Sequence, residues 1–156
     1  MLRIRPYRPS DFEKLWRLDQ KCFDPGIAYS KDELAGFIHQ NNSFTLVAEE
    51  DKALAGFVVG ERDDRMLGRI ITIDVAEDAR RAGVGSRLME AAEERLTSDG
   101  CRFIVLEVAV TNVAALTFYK RRGYAIFKTI PRYYVDNIDA FQMMKRFARA
   151  KASATA

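Results

Sequence analysis

The segment Arg80-Arg81-Ala82-Gly83-Val84-Gly85-Ser86 brings together cationic side chains, glycines and the start of a helical pattern. Residues 71–75 before it read as a strand, and residues 76–79 as an acidic-polar loop. The first N–H groups of a helix lack intrahelical partners and sit at the positive end of its dipole, so they bind anions. Gly83 and Gly85 remove Cβ atoms where a phosphate must approach the backbone, and Arg80 and Arg81 add charge. Two other glycine-loop chemistries do not fit. A dinucleotide fingerprint needs a third glycine and an early βαβ position, whereas this turn lies mid-chain and runs on through Ser86, Arg87 and Leu88. A phosphate-binding Walker loop ends in G-K-[ST], and that ending is missing. Taken alone, the segment also fits two glycines that merely shape a strand-to-helix loop.

A second group follows at Glu107, Asn112 and Tyr119. A glutamate in an apolar strand can be its outward member, an asparagine before a helix can be its N-cap, and a tyrosine beside Phe118 can be core. Cys22 and Cys101, without a CxxC pair and with His39 as the one histidine, supply neither a disulfide framework nor a metal site. No metal is expected.

The elements that must position these residues follow the hydrophobic periodicity. Leu2 and Ile4, with Pro6 and Pro9 after them, suggest a short edge strand. Ser10 and Glu13 form a capping-box signature ahead of a helix carrying Phe12, Leu15 and Trp16, which Asp24-Pro25-Gly26 breaks. Ser30 and Glu33 repeat the signature before Leu34, Phe37 and Ile38. Residues 44–48 and 54–60 read as a hairpin, and residues 69–75 as the strand entering the glycine turn. Val84, Leu88, Ala91, Ala92 and Leu96 mark a helix that Gly100 ends. Residues 103–108 are a compact apolar run of the kind buried in a parallel pair, 112–122 a helix, and 124–130 and 140–147 strands. The order β-α-α-β-β-β-α-β-α-β-β implies an α/β (α+β) domain with a central mixed sheet flanked by helices.

Composition fits that picture. At 156 residues and 48% hydrophobic, the chain suits one domain, placed at residues 1–148, with a low-complexity, flexible tail at 149–156. A net charge of +3 does not indicate a nucleic-acid surface. With no secretory leader pattern and no apolar run of about 18 residues, neither export nor membrane insertion is expected, and the protein is expected in the cytoplasm as a monomer or homodimer.

The R-x-x-G-x-G turn, together with Leu106-Glu107-Val108, Asn112, Phe118-Tyr119 and Gly123-Tyr124, resembles the GNAT superfamily of N-acetyltransferases. Within it the chain is similar to the RimI-type ribosomal-protein alanine acetyltransferases and their relatives that acetylate protein N-termini. The resemblance covers nearly the whole chain. It implies a mostly antiparallel sheet of about seven strands with about four helices, and acetyl-CoA as co-substrate. It also implies that Ile73, Asp74 and Val75 offer backbone to the pantetheine arm, that Arg80, Arg81, Ala82, Gly83, Val84, Gly85 and Ser86 hold the pyrophosphate, and that Asn112 and Tyr119 help to seat the coenzyme.

Amide formation from a thioester needs a neutral amine, and an α-amine with a reference pKa of about 7.7–8.0 is still largely protonated at neutral pH. The resemblance makes Glu107 the base, direct or through water, with burial raising its basicity, and Tyr119 the acid at the departing thiolate. Tyr133 and Tyr134 resemble the tyrosine-bearing loop that holds a peptide, and Phe23 and Tyr29 would form the facing wall. The implied acceptor is a protein N-terminus. A small-molecule amine, a lysine side chain, or a non-catalytic acyl-CoA-binding module are the alternatives.

Overall fold

The computed structural model describes residues 1–80 and 82–148; the expectations placed on Arg81 and on the 149–156 tail lie outside the described residues. Seven strands and four helices follow in the expected order: β1 Leu2–Pro6, α1 Phe12–Cys22, α2 Lys31–Ile38, β2 Ser43–Glu50, β3 Ala53–Arg62, β4 Leu67–Val75, α3 Val84–Ser98, β5 Phe103–Ala109, α4 Val113–Arg121, β6 Ala125–Tyr134 and β7 Ile138–Arg146. They form one sheet in the order β1-β2-β3-β4-β5-β7-β6. Every pairing is antiparallel except β4 with β5. Among the described residues no helix is long and apolar enough to cross a membrane.

Side-chain alternation on β3 feeds two cores, one on each face of the sheet. Val58 joins Leu88, Met89, Ala92 and Leu96 of α3 on one face. Phe57 and Val59 join Leu15 and Leu18 of α1 and Leu34 and Ile38 of α2 on the other. Each fully buried leucine or phenylalanine here contributes about 1.5–3 kcal/mol. The sheet is thereby clamped between α1/α2 and α3/α4.

Local chemistry departs from expectation at the first helix. Ser10 does not cap it. A 3₁₀ turn, Pro9–Asp11, opens first, and Asp11 accepts from the Arg8 N–H at 2.8 Å and from both terminal nitrogens of Arg5 at 2.9 Å. The buried Arg5 guanidinium needs a carboxylate, and its two-pronged geometry takes Asp11. At α2 the expected box forms: Glu33 N–H donates to Ser30 Oγ at 3.1 Å, and Ser30 N–H to Glu33 Oε1 at 3.0 Å.

β3 and β4 approach closely at Gly56. A Cβ there would stand 2.5 Å from the Asp74 carbonyl oxygen and 3.1 Å from Leu88 Cδ1, and a strand backbone cannot yield as a side chain can. Gly56→Ala is therefore expected to cost about 1–3 kcal/mol, the usual range for overpacking. For a domain of this size that lowers Tm by very roughly 2–12 °C in a thermal melt. A Tm equal to wild type would mean that the strands can separate there without penalty.

Candidate active site

The parallel ladder between β4 and β5 is short. Residues 67–70 pair with residues 103–106, and the pairing stops there. Its end coincides with a bulge: Gly60 faces Ile70 and Val59 faces Thr72, which leaves Ile71 as the extra residue. Beyond it β4 stays with β3 while β5 follows β7, and a cavity of about 450 Å³ opens in the wedge. Residues 71–75 have no strand partner on the side of the wedge, which suits an extended, amide-bearing ligand. Ile73 and Val75 line the cavity, whereas the Asp74 side chain is buried on the α1 side of the strand and does not.

α3 starts at the open end of the wedge. Gly83 precedes it at φ +78°, with no side chain capping the helix, and Arg87 N–H bonds back to the Gly83 carbonyl at 3.1 Å. Gly83, Gly85 and Ser86 line the cavity. Gly83 is required for its left-handed backbone; the space beside its α-carbon is open. Val84 turns its side chain into the core, and Ala82 lies exposed beside the turn. Arg80 lines the cavity as well, with part of its guanidinium held at the end of β4. Its Nε donates to the Val75 carbonyl at 3.1 Å and its Nη2 lies 3.7 Å from Cys22 Sγ, because the last carbonyl of β4 needs a donor and this guanidinium reaches it.

Glu107, on β5, and Tyr119, on α4, both line the cavity. The Glu107 side chain is buried, and its neighbours are polar. Its Oε1 is ion-paired with Arg69 and lies 3.4 Å from the donating Tyr133 hydroxyl, while Oε2 accepts from Gln142 Nε2 at 2.8 Å. The carboxylate is thus oriented by a guanidinium, a phenol and an amide. Arg69 in turn lies 3.7 Å from Glu61. Tyr119 packs edge-on against Phe118 and Tyr124, and burial foremost pushes its phenol above the usual range. It keeps its proton throughout the working pH range. Asn112 caps α4, its Oδ1 accepting from Ala115 N–H at 3.1 Å, and lines the cavity as well.

Phe23, Tyr29 and Tyr134 line the other end. Tyr133 does not; it crosses Tyr134 edge-on at 4.9 Å and turns its hydroxyl to Glu107. The hydroxyl of Tyr29 donates to the Ile71 carbonyl at 3.4 Å, and its carbonyl accepts from Trp16 Nε1 at 3.1 Å and Gln20 Nε2 at 2.6 Å. The two loops meet. A Cβ on Gly26 would lie 3.2 Å from Asp136 Oδ2 and 3.3 Å from the Val135 carbonyl. Arg69 and Gln142 were not anticipated, since nothing in a strand pattern marks which polar residue will face a carboxylate on the neighbouring strand.

A parallel pair that splays around a cavity, with a helix N-terminus at the open end, can seat an extended, amide-bearing ligand that ends in a phosphate. The chain belongs to the acetyltransferase (GNAT) family, whose sequence model matches residues 12–124, and its acetyl donor is acetyl-CoA. It is 33% identical over 149 residues to an uncharacterized N-acetyltransferase of Methanocaldococcus jannaschii, covering 95% of this chain and 94% of that one. It is 32% identical to N-alpha-acetyltransferase 30 of Schizosaccharomyces pombe, covering 91% and 96%. The crystal structure of Ard1 from Thermoplasma volcanium superposes with a TM-score of 0.84 at 29% identity, covering 94% of this chain and 98% of the other.

Proposed function

We propose that the protein transfers acetyl from acetyl-CoA to the α-amine of a protein N-terminus. The observation that carries this reading is that Glu107 and Tyr119, from different elements, line one cavity whose two ends differ in kind: a bare helix N-terminus at one, tyrosines at the other. The α3 N–H groups bind the diphosphate, and residues 73–75 pair with the pantetheine amides. Glu107 takes the proton of the attacking amine, directly or through one water, as the C–N bond forms. The C–S bond breaks, and Tyr119 donates a hydrogen bond to the departing sulfur. Arg69, Gln142 and Tyr133 hold the Glu107 carboxylate in place. The similarity to N-alpha-acetyltransferases supports the N-terminal acceptor.

Incubation with acetyl-CoA and peptides bearing either a free or a blocked α-amine, read by mass, tests the assignment. Peptides with a free terminus are expected to be acetylated there, and blocked peptides with an internal lysine to be poor substrates. Equal acetylation of both would transfer the assignment to lysine or small amines. Tyr134→Ala and Tyr29→Ala are expected to raise the peptide KM by about 5- to 30-fold, the loss of one contact worth about 1–2 kcal/mol, with the acetyl-CoA KM nearly unchanged. A parallel rise in both KM values would move these tyrosines off the acceptor wall.

A further inference from the structure

Asp19 on α1 is fully buried and Asp74 on β4 is 1% exposed, and the acetyl transfer uses neither carboxyl. Each has one oxygen engaged by a protein donor. Asp19 Oδ2 accepts the Tyr29 N–H at 2.8 Å, and Asp74 Oδ1 accepts the Thr72 hydroxyl at 2.6 Å. The remaining oxygens, Asp19 Oδ1 and Asp74 Oδ2, are buried with no hydrogen-bond partner among the described residues, and the two carboxyls lie near enough to act on each other. Two carboxylate oxygens cannot bond unless one carries a proton. The groups around the pair, Cys22 on α1, Tyr29 in the loop, Glu33 on α2 and Tyr119 on α4, bring no positive charge, and the nearby Arg80 guanidinium is taken by the Cys22 sulfur and the Val75 carbonyl.

We propose that Asp74, protonated, donates to an ionised Asp19, and that this bond is a positioning bridge fixing the Tyr29 wall of the acceptor site against the coenzyme strand. Burial pushes the Asp74 carboxyl well above the usual carboxylate range, with the bond to Asp19 acting in the same direction. One end of the bridge lies between Ile73 and Val75, which line the coenzyme cavity, and the other holds the main chain of Tyr29. Coenzyme and acceptor sites are thereby tied through a single proton.

Asp19→Asn keeps both bonds, since its oxygen still accepts from Tyr29 and its nitrogen donates to Asp74, which then gives up the shared proton. Asp19→Ala breaks both. At pH 6.5, D19A is expected to raise the acceptor-peptide KM roughly tenfold with the acetyl-CoA KM close to wild type, and D19N to recover most of that loss. Equal damage in D19N and D19A would overturn the bridge.

This KM readout rests on the N-terminal acetyltransfer reading, and a second readout does not. The fold retains the Asp74 proton where the unfolded chain has released it, so the stability of the wild type falls as pH rises from about 4 towards the folded-state titration of the pair. The amide that D74N puts in place of the carboxyl has no such proton to lose. The Tm of D74N minus that of wild type is therefore expected to grow between pH 4 and pH 8. A constant difference overturns the shared proton, whether or not any peptide is acetylated and whether or not D19N folds.

Discussion

Glu107→Gln is expected to lower kcat on the order of 10²-fold while leaving the acetyl-CoA Kd within about twofold, as measured by steady-state assay and calorimetry. The substitution preserves shape, and the amide oxygen still accepts from Arg69, so the fold should persist. What is lost is the ability to take a proton. An α-amine with a reference pKa of about 7.7–8.0 loses its own proton as pH rises, so the variant should regain part of the rate between pH 7 and pH 9. Tyr119→Phe should slow turnover without that recovery, because its loss falls on sulfur departure. Unchanged turnover in E107Q would place the base elsewhere, and Arg69 and Gln142 would then be structural partners of a spectator carboxylate.

Gly83→Val should weaken acetyl-CoA binding by about 10- to 100-fold in a direct titration, with little change in far-UV dichroism. At φ +78° a β-branched residue is strained by steric conflict of its Cβ with the backbone, costing about 1–2 kcal/mol or more. The turn can relieve this only by rotating the first N–H groups of α3 away from the wedge. Hydrogen bonds to a charged group are worth about 1.5–3 kcal/mol each, so misaligning one accounts for the expected loss. Gly85→Val should be milder at the backbone, but its side chain would grow towards Phe118, 3.5 Å from the Cβ position. If Gly83→Val binds acetyl-CoA as tightly as wild type, the diphosphate does not sit at this helix end.

Much of this architecture is legible in the residues, and the limits follow from physics. Period-two and helical patterning locate all seven strands and four helices because each buries one face or a continuous run. The 103–108 run predicts a parallel neighbour, and β5 has one in β4. Boundaries slip where local signals compete, as at Ser10, which loses its cap role to an aspartate claimed by a buried arginine. The candidate site is legible where backbone geometry dictates residue type, at Gly83, and where the family pattern marks Glu107, Asn112 and Tyr119. It is not legible where long-range pairing decides. No local signal tells that Tyr133 turns to Glu107 or that Asp19 of α1 comes near Asp74 of β4, since each depends on elements distant in sequence.

The meeting of the two loops at Gly26 bears on when an acceptor chain could be modified. Phe23, Ile27, Tyr29 and Tyr134, from the segments that touch there, line the cavity that holds the buried Glu107 carboxylate, so on the proposed reading an acceptor reaches it as an extended chain end. A terminus already folded into its own domain, paired as an edge strand or docked in a groove, would have to be pulled out first, at the cost of the contacts that hold it. Acetylation by this protein therefore competes with the folding of its acceptor. Chains whose first residues are still loose, or whose ends stay unstructured, are the acceptors that this reading favours.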